Sequence, residues 1–205
     1  MILKIVQVGD PVLRAAARAL TRQEILSAET QQLIRDMRET MYAAPGVGLA
    51  APQIGQSLQL AVIEDSEDNL EEVPPNDLIE KQRSPVPFHV IINPVITHLA
   101  EEKANFYEGC LSLAGFSAVV PRARSIRVEY LDERGKSRAI EASGWYARIL
   151  QHEIDHLHGA LYIDRMQSRT FTSLENWRQF GPGRAERDAS TGQPLPADSR
   201  DAAKK

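Results

Sequence analysis

His152-Glu153-Ile154-Asp155-His156 is the stretch that decides how this chain folds and what chemistry it can carry. On a helix, residues four apart lie one turn apart on the same face, so the two imidazoles can grip a single metal ion. Glu153 follows the first histidine directly, as the pattern requires for an acid–base group beside a metal-bound water. The pentapeptide therefore predicts a metal-binding helix.

This helix is expected to begin near Ser143 and to end before Gly159. Serine is a frequent N-cap, and glycine is frequent just after the last turn of a helix. Trp145 and Ile149 continue the stripe that the two histidines define, and further apolar residues flank it. We therefore expect a largely buried helix.

A catalytic metal site needs three protein ligands and one open position. The only cysteine of the chain lies upstream, in Glu108-Gly109-Cys110-Leu111-Ser112, and would complete the set with His152 and His156. An alternative is open at this point. The histidine motif can arise by chance on an amphipathic helix, and a lone cysteine is usually a small buried hydrophobe.

A third stretch, Gly46-Val47-Gly48-Leu49-Ala50-Ala51-Pro52-Gln53, favours the metal site. In this order, the three stretches resemble the motifs of the peptide deformylases, G-x-G-L-A-A-x-Q, E-G-C-L-S and Q-H-E-x-D-H, without substitution at any fixed position. The chain is most similar to the branch that includes organellar deformylases. The resemblance implies an α+β fold, with antiparallel sheets around a central metal-binding helix and a second helix near the N-terminus.

The resemblance also implies a function, namely hydrolysis of the N-formyl group from the initiator methionine of nascent polypeptides with release of formate. Glu153 would be the general base, and the Gln53 side-chain amide and the Leu111 backbone N–H would stabilise the oxyanion. An ion bridge between Glu108 and Arg122 is implied as well. The positions implied for substrate binding are Gly46, Val47, Gly48, Glu108, Trp145 and Ile149.

The metal implied by the family is Fe²⁺, one ion per chain, with Zn²⁺, Ni²⁺ or Co²⁺ as replacements. Ligand spacing cannot distinguish these ions, because affinity rises along the divalent series and cellular supply decides which ion is bound. The metal ligands would be Cys110, His152 and His156.

Two other functions stay open. Metallopeptidases with the same histidine motif commonly take a third ligand downstream, but His-x-x-Gly-x-x-His is absent after His156. An inactive metal-binding relative is the second alternative, against which the intact Gln53, Glu153 and Leu111 argue. An assay that compares the release of formate from a formyl peptide with the cleavage of an internal peptide bond distinguishes these functions.

Composition limits the partners. The net charge is −4 with a pI near 5.8, so we expect no nucleic-acid binding. No apolar run is long enough to span a membrane, and a single cysteine suits a reducing compartment. We expect a cytoplasmic monomer or homodimer. Some family members dock on the ribosome through a basic C-terminal helix. This chain lacks that pattern, so the resemblance does not imply docking, and the ribosome stays an open alternative as a partner.

The resemblance implies a deformylase domain over residues 1–180. From Gly181 onward the apolar period fails, so we expect a disordered or loosely held tail over 181–205. Thr21-Arg22-Gln23-Glu24 fits a capping box, and the spacing of Leu33, Ile34, Met37 and Met41 predicts a helix that stops at residues 44–46. Strands are predicted at 58–64, 88–93, 117–120, 125–131 and 137–142. Residues 65–87, rich in acids and prolines, are expected to form a long exposed loop.

Overall fold

Helix α5 (Gly144–Leu157), which carries the two histidines, lies at the centre of the fold. The computed structural model describes residues 1–71 and 73–181. Ser143 precedes the helix in an extended conformation, and Gly159 follows it with a φ of +74°, a left-handed conformation that favours glycine. Both predicted ends of the helix are confirmed.

Other helices and the strands surround α5. The helices are α1 (Arg22–Ile25), α2 (Ala28–Ala43), α3 (Glu67–Glu71), α4 (Pro75–Lys81) and α6 (Leu174–Phe180). The strands are β1 (Gly48–Ala50), β2 (Leu60–Asp65), β3 (Val86–Leu99), β4 (Lys103–Gly109), β5 (Phe116–Ala123), β6 (Ser125–Leu131), β7 (Ser137–Ser143) and β8 (Thr172–Ser173). No helix in residues 1–71 and 73–181 is long and apolar enough to cross a membrane.

The strands form a five-stranded sheet in the order β1-β2-β3-β6-β7 and a three-stranded sheet in the order β4-β5-β8. Every pairing within the two sheets is antiparallel. The predicted α+β class, with antiparallel sheets around the metal-binding helix, is confirmed.

The large sheet is covered on both faces where β2 crosses it. Ala61 and Ile63 pack in the cluster that contains Leu150 of α5, whereas Leu60 and Val62 pack in the cluster that contains Met37 of α2. Successive residues of a strand point to opposite faces, so a strand covered on both sides is apolar throughout. This layering places α5 against one face of the sheet with its histidines toward the smaller sheet.

The predicted N-terminal helix is α2, in which Ile34, Met37 and Met41 are buried. It ends at Ala43, next to the predicted stop. The capping box is present, since the Thr21 N–H donates to the Glu24 carboxylate at 2.7 Å. That box begins the separate four-residue helix α1, however, and Ser27 caps α2.

The prediction of a long exposed loop over residues 65–87 is wrong. This segment contains α3, α4 and the start of β3, although neither helix buries a residue. Asp65, fully buried at the end of β2, accepts hydrogen bonds from Nε and Nη2 of Arg83 at 2.7 and 2.9 Å. One bidentate ion pair thus joins the two ends of the segment.

Other predicted elements differ mainly at their ends. The strand predicted at 88–93 lies in the first half of a longer strand, β3, and β1, β4, β8 and α6 were not predicted. Most side chains in the second half of β3 are exposed, so it has no apolar alternation by which to recognise it. Most of the predicted tail lies outside the described residues.

Candidate metal centre and its cavity

Helix α5 presents His152 and His156 one turn apart, with their ring centroids separated by 5.0 Å. Cys110 follows the end of β4 and lies opposite this helix face. The potential ligand atoms of these three residues all lie within 4.8 Å of one another. The structure therefore brings together the three predicted ligands from two distant parts of the chain.

Hydrogen bonds set the orientation of the ligand atoms. Nδ1 of His152 lies 3.0 Å from Oε2 of Glu108, which leaves Nε2 of His152 free to face the cluster. Nε2 of His156 lies 3.3 Å from Sγ of Cys110. A tetrahedral ion with bonds of about 2.0–2.3 Å would hold its ligands roughly 3.3–3.8 Å apart, so the donor set fits one divalent ion.

Glu108 is the hub of a buried ion cluster behind His152. Its carboxylate accepts hydrogen bonds from Nε and Nη2 of Arg122, each at 3.0 Å, and from Nη1 of Arg148 at 2.6 Å. Burial alone would raise the pKa of Glu108, but the hydrogen bonds from His152 and Arg122 outweigh it and hold that pKa well below its usual value. The implied bridge between Glu108 and Arg122 is present in the structure.

Asp155 points away from the ligand face, toward two arginines. It pairs with Arg122 and with Arg165, whose Nε and Nη2 both lie 2.7 Å from its carboxylate. The cluster therefore links α5 to β4, β5 and the chain beyond the helix.

Glu153 lies beside the ligands in a different environment. Its carboxylate makes no hydrogen bond within the described part of the chain, and Oε2 is buried. Burial raises the pKa of Glu153 to about 7. A Cβ atom at Gly48 would overlap this carboxylate, so only glycine allows β1 to pass so close. Such a carboxyl group can exchange a proton near neutral pH.

Gln53 and Leu111 supply N–H groups near Cys110. Oε1 of Gln53 accepts from the Ala50 N–H at 2.8 Å, which turns Nε2 toward Sγ of Cys110, 3.5 Å away, and Oγ of Ser112, 3.4 Å away. The Leu111 N–H has no hydrogen-bond acceptor among residues 1–71 and 73–181. Both donors are thus held near the ligand cluster.

A cavity of about 550 Å³ opens onto the ligands. Its lining is mainly apolar and includes Val47, Trp145 and Ile149, the positions implied for a side-chain pocket. The other predicted residues that line it are Gly46, Gly48, Gln53, Glu108, Cys110, Leu111, His152 and Glu153. All predicted substrate-binding positions are therefore in one place.

Comparison with known proteins agrees with this geometry. A sequence model of the family described as polypeptide deformylase matches residues 2–172. The chain belongs to the polypeptide deformylase family. The resemblance deduced from the three motifs is confirmed.

Relatives of this chain are found in plants and in bacteria. The chain is 46% identical over 172 residues to "Peptide deformylase 1A, chloroplastic" of Solanum lycopersicum, which covers 84% of this chain and 62% of that relative. It is 44% identical over 198 residues to "Peptide deformylase 3" of Streptomyces avermitilis, covering 95% and 85% of the two chains. The chain thus spans just over three fifths of the length of the plant relative.

A solved structure shares the fold of this deformylase-family chain. It is the Met-Ala-Ser-bound crystal structure of a class I type b peptide deformylase from Acinetobacter baumannii. The TM-score is 0.72 at 30% sequence identity, covering 81% of this chain and 99% of that one. The organellar relative and this structure together support the predicted family branch and fold.

Sequence analysis missed several residues at the site. Arg148 is buried within the ion cluster, and its Nη2 also donates to the Ala104 carbonyl at 2.7 Å. A signal was available, because this arginine lies one turn before His152 on an otherwise apolar face. The cavity lining that was not predicted includes Arg83, Tyr107, Phe116 and Leu174. These come from segments without a motif.

Proposed function

We propose that this protein is a metal-dependent hydrolase that removes the N-formyl group from the first methionine of nascent polypeptides and releases formate. One observation carries the proposal. The ligand atoms of Cys110, His152 and His156 converge at the wall of an apolar cavity, next to the Glu153 carboxylate that has no hydrogen-bond partner in the described chain.

A divalent ion, when bound, supplies Lewis-acid activation of water near neutral pH. Glu153 takes a proton from the attacking water and delivers it to the leaving amine, a role that suits a carboxyl group with a pKa of about 7. Nε2 of Gln53 and the Leu111 N–H donate to the oxygen on which negative charge develops. Removal of one such donor typically costs ~10²–10³ in rate.

Glu108 acts through His152 and also forms part of the cavity wall. Its hydrogen bond to Nδ1 fixes the ring so that Nε2 faces the cluster. Arg122 and Arg148 keep Glu108 ionised and in place. Glu108 is therefore a positioning residue for a metal ligand.

The substrate lies along Gly46, Val47 and Gly48, with its first side chain against Trp145 and Ile149. Absence of a side chain at Gly46 and Gly48 lets a peptide backbone approach β1 closely. The Met-Ala-Ser bound to the related Acinetobacter enzyme supports a methionine-first peptide as the ligand. A neutral formamide suits this cavity better than a charged N-terminus, because a charge would have to be desolvated.

We further propose Fe²⁺ as the resident ion, with Zn²⁺, Ni²⁺ or Co²⁺ able to replace it. One thiolate and two imidazoles suit these borderline ions. A cytoplasmic location is proposed because a single cysteine suits a reducing compartment, and a monomer or homodimer is proposed as the oligomeric state. Ribosome docking stays an open alternative. Metal analysis after anaerobic purification and light scattering test the ion and the oligomeric state.

The decisive experiment measures formate release from formyl-Met-Ala-Ser by the metal-loaded full chain. Acetyl-Met-Ala-Ser and a longer peptide with an internal bond serve as controls for amidase and peptidase activity. We expect formate only, with a loss of about 10²–10⁴ in kcat for Glu153→Gln while the metal is retained. Retention of more than a tenth of the activity in that variant would exclude Glu153 as the base, and peptide cleavage without formate would exclude deformylation.

A further inference from the structure

The cavity has a second end, away from the ligands, that the proposed mechanism does not use. Trp145 precedes His152 by seven residues on α5, which corresponds to roughly 10 Å along a helix. Arg83, from the segment between α4 and β3, lines the cavity together with Trp145, and its Cζ lies 5.3 Å from the indole centroid. We refer to the part of the cavity that Trp145 and Arg83 line as the Trp145 end.

The protein itself holds Arg83 in place. Nε and Nη2 donate to the fully buried carboxylate of Asp65, so two of the three guanidinium nitrogens are engaged. Gly144, with a φ of +59°, lets the backbone at Lys81 and Gln82 lie against the start of α5, since a Cβ would come within 2.8 Å of both carbonyl oxygens. Arg83 is thus fixed before any ligand enters.

The third nitrogen of Arg83 is a donor without an acceptor. In residues 1–71 and 73–181, Nη1 makes no hydrogen bond, and it is not one of the fully buried polar atoms, so it is open to solvent or to the cavity that Arg83 lines. Of the neighbouring walls, Val47 and Ile149 are apolar, and the Trp145 indole carries a buried donor, Nε1, but no acceptor. An acceptor for Nη1 therefore has to come from solvent or from a molecule in the cavity.

A fixed guanidinium donor at an apolar pocket, even with its charge paired to Asp65, changes which side chains the pocket accepts. Burial of a polar tip in a purely apolar pocket is unfavourable because its hydrogen bonds to water are lost. A guanidinium N–H restores such a bond with the added strength of charge. Methionine sulfoxide has nearly the length of methionine but carries a strong acceptor oxygen, whereas norleucine has no acceptor.

We propose that Arg83 is a specificity-determining residue that donates a hydrogen bond from Nη1 to an acceptor at the tip of the first side chain, so that N-formyl peptides beginning with methionine sulfoxide are a further substrate class. The proposal rests on the proposed deformylase function. The reaction is the same hydrolysis: water adds across the formyl C–N bond, formate and the free amine are released, and the sulfoxide is unchanged.

The test compares kcat/KM for formyl-methionine-sulfoxide-Ala-Ser and formyl-norleucine-Ala-Ser. Their ratio cancels differences in metal loading between variants. Arg83→Met combined with Asp65→Asn removes the donor without leaving a buried carboxylate alone. Lys81→Met is the matched control, because Lys81 also lies over Trp145, with Nζ 5.5 Å from the ring centroid, but does not line the cavity.

We expect the sulfoxide-to-norleucine ratio to fall about tenfold in the double variant, as for the loss of one charge-assisted hydrogen bond, and to change less than twofold in Lys81→Met. The proposal is overturned if the ratio falls by less than threefold in the double variant, or if it falls equally in the double variant and in Lys81→Met. If the double variant does not fold, the unaltered chain decides: the sulfoxide should react at no less than about a tenth of the norleucine rate. If formyl-Met-Ala-Ser is hydrolysed but the sulfoxide-to-norleucine ratio does not change in the double variant, only the role of Arg83 is refuted. If no peptide releases formate, the proposed function itself is refuted.

Discussion

At the scale of single residues, Glu153 shows how position within one motif determines chemistry. It shares the stretch from His152 to His156 with Asp155, yet the two carboxylates have opposite surroundings. Asp155 is paired with two arginines, whereas Glu153 is buried without a partner in the described chain. Burial disfavours the carboxylate form, and a nearby cation favours it. The protonation of Glu153 should therefore report whether the metal is bound.

The first prediction concerns that protonation. In metal-free protein the Glu153 pKa is raised to about 7, so the group should be mostly protonated at pH 6. Binding of Zn²⁺ should shift the titration to lower pH and release a proton, because the ion favours the carboxylate. Infrared difference spectra against Glu153→Gln measure the carboxyl band directly. A metal-free midpoint below pH 5 would contradict the burial argument.

Cys110 supplies the second prediction at this scale. A serine hydroxyl is a poor substitute for a thiolate ligand, so Cys110→Ser should lose most of its bound metal during dialysis. Elemental analysis against the unaltered chain measures the loss. His98→Ala is the control, since His98 lies outside the ligand group and should keep one ion per chain. Equal metal content in the two variants would show that Cys110 is not a ligand.

At the scale of elements, the ion cluster of Glu108, Arg122 and Arg148 joins β4 and β5 to α5. Arg148 is buried and donates to Glu108 and to the Val120 and Ala104 carbonyls. Removal of one member of a buried ion network leaves charge and polar groups without partners. The cluster therefore contributes to the docking of the helix as well as to the orientation of His152.

The third prediction follows from this network. Arg148→Met should lower the free energy of unfolding by about 3 kcal/mol, the low end of values for broken buried pairs, because Arg122 still pairs with Glu108. Arg127→Met is the matched control. It removes an exposed pair with Glu141, with 42% and 78% of the side chains exposed, and should cost less than about 1 kcal/mol. Urea unfolding with metal chelated measures both, and equal losses would contradict a structural role for the cluster.

The contact between α5 and the segment before β3 gives the fourth prediction. Gly144→Ala should destabilise more than Gly55→Ala, although both glycines have positive φ, +59° and +79°. The left-handed conformation costs each variant about 1–2 kcal/mol. Only at position 144 would the new Cβ also lie within 2.8 Å of backbone oxygens, whereas position 55 is open. Gly144→Ala should therefore have the lower melting temperature in thermal unfolding. Equal melting temperatures would show that the backbone next to position 144 moves aside without loss of stability.

Sequence could predict the elements that have a clear period or motif. Helix α5, the C-terminal end of α2 and strand β6 were predicted within about a residue or two, because one covered face imposes a repeat on the residues, whereas the capping box at Thr21 belongs to α1 and not to the start of α2. The ends of β3, the strand β4 and the helices of residues 65–87 were missed. These elements are formed through pairing with distant strands and through the ion pair of Asp65 with Arg83. No local sequence pattern encodes either kind of contact.

At the scale of the whole molecule, the site is assembled from segments more than a hundred residues apart. Gly48 and Gln53 come from the edge of the large sheet, Cys110 from the small sheet, and the histidines from α5 between them. Family motifs indicated which of these residues meet. They gave no information on Arg83, Arg148 or Leu174, because these act through tertiary contacts at positions without a motif.

The position of Leu174 in the cavity wall leads to the last prediction, which tests the proposed domain boundary at residue 180. A chain ended after Phe180 keeps β8 and α6, so it should melt within about 3 °C of the full chain and release formate at the same rate. A chain ended after Phe171 loses the pairing of β8 with β5 and the wall residue Leu174. It should lose at least about tenfold in kcat/KM, because a displaced cavity wall misplaces the substrate. If the chain that ends after Phe180 loses activity, residues 181–205 belong to the catalytic domain. If the chain that ends after Phe171 keeps full activity, the cavity wall that contains Leu174 is not needed for catalysis.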